Sequence, residues 1–264
     1  MARDPNRRIV CLTEEPTEIL YLLGEQHRIV GISAYTERPP EAKRDKPVVS
    51  AFTGGSVPKI LACEPDLVIG FSDIQADLAK DLVAAGLQVV IFNQRSLEQI
   101  LDVIVSIGWL VGAHDRANAL AADLEARLDA ARARTAARTH RPRVYFEEWP
   151  DPTITAIQWV SELIAIAGGE PVYGHLAEGA MARDRIVDPA DVIVRAPEVV
   201  IASWCGKPFD RGSFEARPGY GAIPAVRDGR VYEMDPAIIL QPGPACILAG
   251  LPELERLLHG DPPA

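Results

Sequence analysis

Short apolar runs alternate with helical patterns through the first hundred residues of the chain. Four runs rich in Ile, Val, Leu and Phe predict buried strands at residues 9–12, 28–32, 67–70 and 89–92. The stretches 17–23, 57–63, 74–85 and 97–111 carry apolar residues at helical spacing. Alternation of this kind indicates βαβ units, and therefore a mostly parallel sheet with helices on its faces.

A long polar segment then interrupts this alternation. Residues 114–138 contain neither Gly nor Pro and are dominated by Ala, Leu, Arg, Asp and Glu. Leu120, Leu124 and Leu128 follow one another at intervals of four residues, so the segment predicts one helix of about seven turns, roughly 35 Å long. We therefore expect an N-terminal α/β lobe at 1–113, a linking helix at 114–138 and a C-terminal α/β lobe at 139–264.

The second half of the chain repeats the first. RIVCLTEE at 8–15 is echoed by RVYFEE at 143–148, Gly24-Glu25 by Gly168-Gly169-Glu170, and EPDLVI at 64–69 by APEVVI at 196–201. Three echoes in one order indicate a duplicated architecture of two Rossmann-like lobes joined by one long α-helix. Ligands of open parallel sheets bind at the carboxyl ends of the strands. We expect those ends to face each other across a cleft.

The predicted strand ends carry a distinctive set of side chains. Aromatic residues make up 6% of the chain, and each one alone is more typical of packing than of ligand contact. Together, five at strand ends predict a stacking surface for a large, flat, partly apolar ligand. The candidate ligand-binding residues are Glu14, Glu15, Tyr35, Phe52, Phe71, Asp73, Glu148, Trp149, Trp204, Cys205 and Gln241.

Four glutamates among these loops, Glu14, Glu15, Glu147 and Glu148, predict a cleft that disfavours anionic ligands, which need arginine clusters. The alternative, that they cap helices beginning near Pro16 and Asp151, stays open.

Net charge excludes some partners. The chain has 27 Lys and Arg against 37 Asp and Glu, a formal charge of −10. Nucleic acid and anionic membrane surfaces attract clustered basic residues, so neither is an expected partner. No apolar run reaches the roughly 20 residues of a membrane helix, and the N-terminal apolar stretch of five residues is shorter than the apolar region of a secretory leader. The sequence as written therefore predicts a cytoplasmic protein, or a periplasmic or extracytoplasmic one if a leader has been removed.

Catalytic patterns are mostly absent from the chain. It contains no G-x-S-x-G elbow, no H-E-x-x-H and no phosphate-binding G-x-x-x-x-G-K-[ST] loop, and its four cysteines form no C-x-x-C pair. We expect a non-catalytic binding protein that requires no cofactor and no metal. Two alternatives stay open: a metal- or thiol-dependent enzyme that uses Cys205 and His175, and a cytosolic ligand carrier or sensor.

Several segments resemble a known family. RIVCLTEEPTEIL at 8–20, VGIS at 30–33, ILACEPDLVI at 60–69 and PAVRDGRVY at 224–232 are similar to the helical-backbone (class III) periplasmic binding proteins of ABC importers. The resemblance covers roughly residues 8–258 and implies two rather rigid lobes that hold vitamin B12, a siderophore or haem. Ser33-Ala34-Tyr35 is similar to the vitamin B12-binding members in particular. Phe52 and Phe71 stand where those members stack tryptophans, so cobalamin is the candidate ligand.

The resemblance also implies an ABC permease as partner, contacted through one glutamate in each lobe. Alignment of the PDLVI and PEVVI blocks puts those positions at Pro58 and Ala190, and neither is acidic. Asp188 and Asp191 lie close to the second position. The sequence therefore departs from the family at both docking positions.

Overall fold

The computed structural model describes residues 7–51, 54–179 and 181–260. Over this range the chain is an α/β protein with two sheets of mostly parallel strands, which confirms the predicted fold class. The strands are β1 Ile9–Cys11, β2 Ile29–Ser33, β3 Val48–Ser50, β4 Leu67–Phe71, β5 Val89–Phe92, β6 Arg143–Pro150, β7 Thr153–Thr155, β8 Glu170–Pro171, β9 Val199–Ala202 and β10 Val231–Glu233.

The helices fill the stretches between these strands. They are α1 Glu14–Leu22, α2 Ala42–Asp45, α3 Val57–Ala62, α4 Ala76–Ala84, α5 Leu97–Val111, α6 His114–Ala136, α7 Gln158–Ile166, α8 Pro189–Arg195, α9 Arg211–Glu215, α10 Pro224–Arg227, α11 Pro236–Ile239 and α12 Leu251–His259. No helix of the described ranges combines the length and the apolarity needed to cross a membrane.

The described chain divides into two compact units. The first holds the residues up to Gln94 together with 98–125, and the second holds 95–97 together with the residues from Ala126 onward. The long helix α6 ends at Ala136, two residues before the predicted end, and the division between the units falls inside it. The predicted lobe boundaries and the cleft stay predictions.

The first unit contains a fully parallel sheet in the order β3-β2-β1-β4-β5. Its central strands β1 and β4 are buried along their whole length. Val10, Leu12, Val68 and Leu82 form part of one apolar cluster on the sheet. Burial on both faces explains why these strands read as continuous apolar runs. The sequence does not predict β3, because that strand holds only two apolar residues, Val48 and Val49, and directly follows Pro47.

The second unit repeats this order around β6. Strand β6 pairs in parallel with β9 on one side and with β8 on the other, and β10 lies beyond β9. The pairings β1–β2, β1–β4 and β4–β5 of the first unit have the same pattern. The second unit adds β7, which runs antiparallel to β6.

A shared hydrogen-bond pattern supports the predicted duplication. The backbone N–H of Arg8 donates to the Asp66 carboxylate at 2.7 Å, and the N–H of Asp66 donates back to the Arg8 carbonyl at 2.9 Å. Arg143 and Glu198 make the same two bonds at 3.0 and 2.8 Å. The echoed segments therefore join β1 to β4 and β6 to β9, the first and fourth strands of each unit, in the same way.

Candidate functional site

Glu14 and Glu15 follow β1 directly and form the first turn of α1. This corrects the expected helix start near Pro16: the helix begins two residues earlier, with Thr13 before it. Both glutamates are buried, at 7% and 2% exposure, and Glu15 accepts a hydrogen bond from the Thr13 hydroxyl at 2.8 Å. The N-terminal turn of a helix favours negative charge, so the helix offsets part of the cost of burying these acids.

Burial nevertheless changes the charge of this pair. It raises the pKa of Glu14 to about 7 and that of Glu15 to about 8, and the Glu14 charge adds to the shift at Glu15. Neither acid forms an ion pair with Lys or Arg within the part of the chain that the structure describes. By contrast Glu18, one turn further along α1, binds Arg38 at 3.0 Å. At pH 7 Glu15 is therefore mostly protonated and Glu14 about half protonated, and a protonated carboxyl can donate a hydrogen bond.

The other predicted residues of the first unit differ in accessibility. Tyr35 follows β2 and is 46% exposed, whereas Phe71, the last residue of β4, is 4% exposed. Asp73 is exposed at the start of a 3-10 turn, and Phe52 lies outside the described residues. Tyr35 thus offers the largest aromatic surface among these positions.

In the second unit, Glu147 lies at the centre of a polar cluster. Its side chain is fully buried and accepts two hydrogen bonds from Arg217, at 2.6 and 2.9 Å. The Tyr145 hydroxyl donates to it at 2.9 Å and the Trp204 indole N–H at 3.1 Å. Burial, followed by the charge of Glu147, raises the pKa of Tyr145. A buried carboxylate with a two-pronged arginine partner is compensated in both charge and hydrogen bonding.

The neighbouring Glu148 is paired as well. Arg185, only 2% exposed, donates to it at 2.6 Å and also to the carbonyl of Thr155. The expectation of an acidic strand end is therefore wrong for this unit, since Arg185 and Arg217 neutralise both glutamates. Sequence reasoning missed these arginines because they lie 37 and 70 residues away from their partners.

A second correction concerns where these residues lie. Glu147, Glu148 and Trp149 were expected in a loop that follows a strand, but β6 continues to Pro150. The reason is β7, which pairs antiparallel with the end of β6 and extends it. Helix capping by these two glutamates is excluded by the same observation.

Two indole rings meet one ammonium group at the strand ends of the second unit. Trp204 follows β9, and its ring packs edge to face against Phe209 with centroids 5.0 Å apart. The Nζ of Lys207 lies over the faces of Trp149 and Trp204, at 4.6 and 4.9 Å from the centroids. Sequence reasoning named both tryptophans but not the lysine.

The residues of the enzyme hypothesis show no catalytic arrangement. Cys205 is exposed beside Trp204, and His175 is exposed on a 3-10 turn. Gln241, predicted as a ligand-binding residue and not a catalytic one, is half-buried after α11. Within residues 7–51, 54–179 and 181–260, no group of three or more His, Cys, Asp or Glu side chains could hold a metal ion. The hypothesis of a metal-dependent enzyme gains no support from this geometry.

The two expected docking positions are structurally equivalent. Pro58 lies in the first turn of α3 after the N-cap Ser56, and Ala190 lies in the first turn of α8 after the N-cap Asp188. Each helix precedes the strand that pairs with the first strand of its unit. Asp188 accepts a hydrogen bond from the Ala190 N–H at 2.8 Å, and Asp191 binds Arg195 at 2.6 Å.

Comparison with known proteins assigns this architecture to a family. The sequence model described as "Periplasmic binding protein" matches residues 9–238, so the chain belongs to the periplasmic binding protein family. The order of strands and the long helix confirm the resemblance to its helical-backbone class.

Individual relatives extend over most of the chain. An uncharacterized ABC transporter substrate-binding lipoprotein, YvrC of Bacillus subtilis, is 26% identical over 97% of this chain and 81% of its own length. A vitamin B12-binding protein of Vibrio parahaemolyticus is 27% identical over 94% of this chain and 88% of its own length. The solved structure of the periplasmic heme-binding protein RhuT from Roseiflexus sp. RS-1, in apo form, superposes with a TM-score of 0.81 at 27% identity. The superposition covers 97% of this chain and 98% of RhuT.

Proposed function

We propose that this chain is the non-catalytic solute-binding component of an ABC importer, and that its solute is a large chelate of which cobalamin is the first candidate. Family membership supports the binding role, and the relative from Vibrio parahaemolyticus is named for vitamin B12. An importer component implies a permease as partner and a location outside the cytoplasm. Because positions 58 and 190 are not acidic, docking by this chain would use other contacts.

The observation that carries the choice of solute is the weak net charge of the strand ends. Glu147 and Glu148 are neutralised by arginines, and at pH 7 Glu15 is mostly protonated and Glu14 about half protonated. Beside these acids the first unit offers the exposed ring of Tyr35 and the second the half-buried ring of Trp149. Aromatic rings next to hydrogen-bonding groups suit a large ligand that is mostly apolar and rimmed with amides. Each stacked ring contributes about 1 kcal/mol beyond the burial of its area.

Tryptophan fluorescence tests this proposal directly. The chain has four tryptophans, among them Trp149 and Trp204 at the strand ends and Trp109, which is 57% exposed on α5. We expect cyanocobalamin to quench the fluorescence with saturation at micromolar concentration or below. Trp149→Ala should weaken binding about ten-fold, because it removes a stacking face. Trp109→Ala is the matched control and should bind as the unchanged protein does. Absence of quenching at millimolar cobalamin would reject this solute.

Haem is a second candidate, favoured by Tyr35. A phenol oxygen is one of the groups that bind haem iron, and Tyr35 is 46% exposed where β2 ends. RhuT, at 27% identity, is named for haem. If haem is the solute, added haemin should give a Soret band that Tyr35→Phe shifts or removes. If cobalamin is the solute, Tyr35→Phe should leave its affinity nearly unchanged.

A further inference from the structure

The ammonium of Lys207 occupies a position defined by two indole faces. Its Nζ lies 4.6 Å from the centroid of Trp149 and 4.9 Å from that of Trp204. A cation over the face of a tryptophan is attracted by the negative potential of the ring. Two faces that meet at one point form a partial aromatic cage, the arrangement that recognises alkylammonium groups.

Hydrogen bonds and ring packing hold the two indole rings of this cage in place. The indole N–H of Trp149 donates to the Asp151 carbonyl at 2.8 Å. The indole N–H of Trp204 donates to the buried Glu147 at 3.1 Å, and Phe209 packs against the ring of Trp204. None of these contacts involves Lys207, so the cage keeps its shape when the lysine leaves.

Lys207, by contrast, is easy to displace. It is exposed and follows Gly206, whose φ of +79° lies in the region that glycine adopts without strain. No ion pair of Lys207 occurs among the residues that the structure describes. A long, flexible side chain held only by ring contacts at the surface can swing into solvent at little cost.

We propose that Trp149 and Trp204 form a binding site for an organic cation of the alkylammonium class, and that Lys207 fills this site as an internal competitor until such a cation displaces it. The inference goes beyond the proposed function, because neither cobalamin nor haem carries an alkylammonium group. Lys207 sets the affinity of the cage for an organic cation by competing for it.

Substitutions at position 207 test the competition, with tetramethylammonium chloride as the probe and tryptophan fluorescence as the readout. Lys207→Met keeps the length of the side chain and removes the charge, so tetramethylammonium should bind roughly five-fold tighter or more than it binds the unchanged protein. Lys207→Arg keeps a cation over the rings and should behave as the unchanged protein does. Lys80→Met, at an exposed lysine of α4, is the control for loss of a charge, and a sodium chloride titration controls for ionic strength.

The outcomes separate this inference from the proposed function. Equal tetramethylammonium affinity in Lys207→Met and the unchanged protein overturns the competition. Binding by Lys207→Met that survives Trp149→Ala overturns the cage. A cobalamin titration of the same variants tests the solute independently: tighter tetramethylammonium binding without cobalamin binding supports the cage and rejects cobalamin. Cobalamin binding without the tetramethylammonium effect keeps the solute and rejects the cage.

Discussion

The two units differ in how they reduce the net charge of a pair of adjacent glutamates. Each has a pair of adjacent glutamates, Glu14-Glu15 just after the first strand of the first unit and Glu147-Glu148 in the second half of the first strand of the second unit. The first unit buries its pair in a helix turn without arginine partners, so burial raises both pKa values towards neutrality. The second unit keeps its pair in the strand and gives each acid an arginine partner.

This difference shows that a repeated sequence does not imply a repeated charge. A protonated acid and an arginine-bound carboxylate both add little net charge, yet different changes to the protein or its solution disturb them. The first responds to pH, because its charge depends on a proton. The second responds to loss of its partner, because a buried unpaired charge is costly. The following substitutions test that comparison.

The largest effect is expected at Arg217. Arg217→Met leaves Glu147 buried without its partner and should lower the free energy of unfolding by about 3–5 kcal/mol in urea titrations at pH 7. Adding Glu147→Gln to the same protein should restore part of this loss, because the amide still accepts hydrogen bonds and carries no charge. Arg132→Met, which breaks the exposed contact with Asp129 at 2.7 Å, is the control and should cost less than about 1 kcal/mol. Equal losses at Arg217 and Arg132 would contradict the comparison.

The next largest effect is expected at Glu15, in the pH dependence of the free energy of unfolding. Its pKa in the folded protein lies above the ordinary value, so its contribution to stability is complete below about pH 4.5 and is lost as the pH rises through about 8. Between pH 5 and pH 8 this ionisation should lower the free energy of unfolding of the unchanged protein by about 3–4 kcal/mol. Glu15→Gln removes the ionisation, so its free energy of unfolding should lack this loss. Urea titrations at both pH values measure this difference.

Glu98→Gln is the matched control for Glu15, because Glu98 is exposed in the first turn of α5. It should leave the pH dependence of stability unchanged. A Glu15→Gln protein with the same pH dependence as the unchanged protein would show that Glu15 is ionised in the folded state.

The smallest effect on stability is expected for alanine substitutions at two glycines that lie in corresponding segments of the two units. Gly24 and Gly168 both have positive φ, at +70° and +87°, so alanine is strained at each by about 1 kcal/mol. An added Cβ at Gly24 meets only the end of the flexible Arg116 side chain, at 3.3 Å. At Gly168 it meets His259 at 2.9 Å and Thr135 at 3.0 Å. Gly168→Ala should therefore lower the free energy of unfolding, measured in urea titrations, by about 1 kcal/mol more than Gly24→Ala does. Equal losses would mean that the second unit relaxes around the new methyl group.

The sequence by itself determined the class of fold. Buried parallel strands read as continuous apolar runs, and a long helix without Gly or Pro has an unmistakable composition. The runs at 89–92 and 97–111 match β5 and α5 to the residue, and the duplicated blocks predicted two sheets with one order of strands. These features are local or repeated, so a single sequence displays them.

Only the tertiary structure decided the chemistry of the candidate site. The partners Arg185, Lys207 and Arg217 have no sequence signal that links them to Glu148, Trp149 or Glu147, since a side-chain contact depends on how distant segments pack. The pKa values of Glu14 and Glu15 depend on burial, which composition does not reveal. The pattern of apolar and polar residues along the chain thus specifies where strands end. Packing specifies which side chains at those ends carry charge.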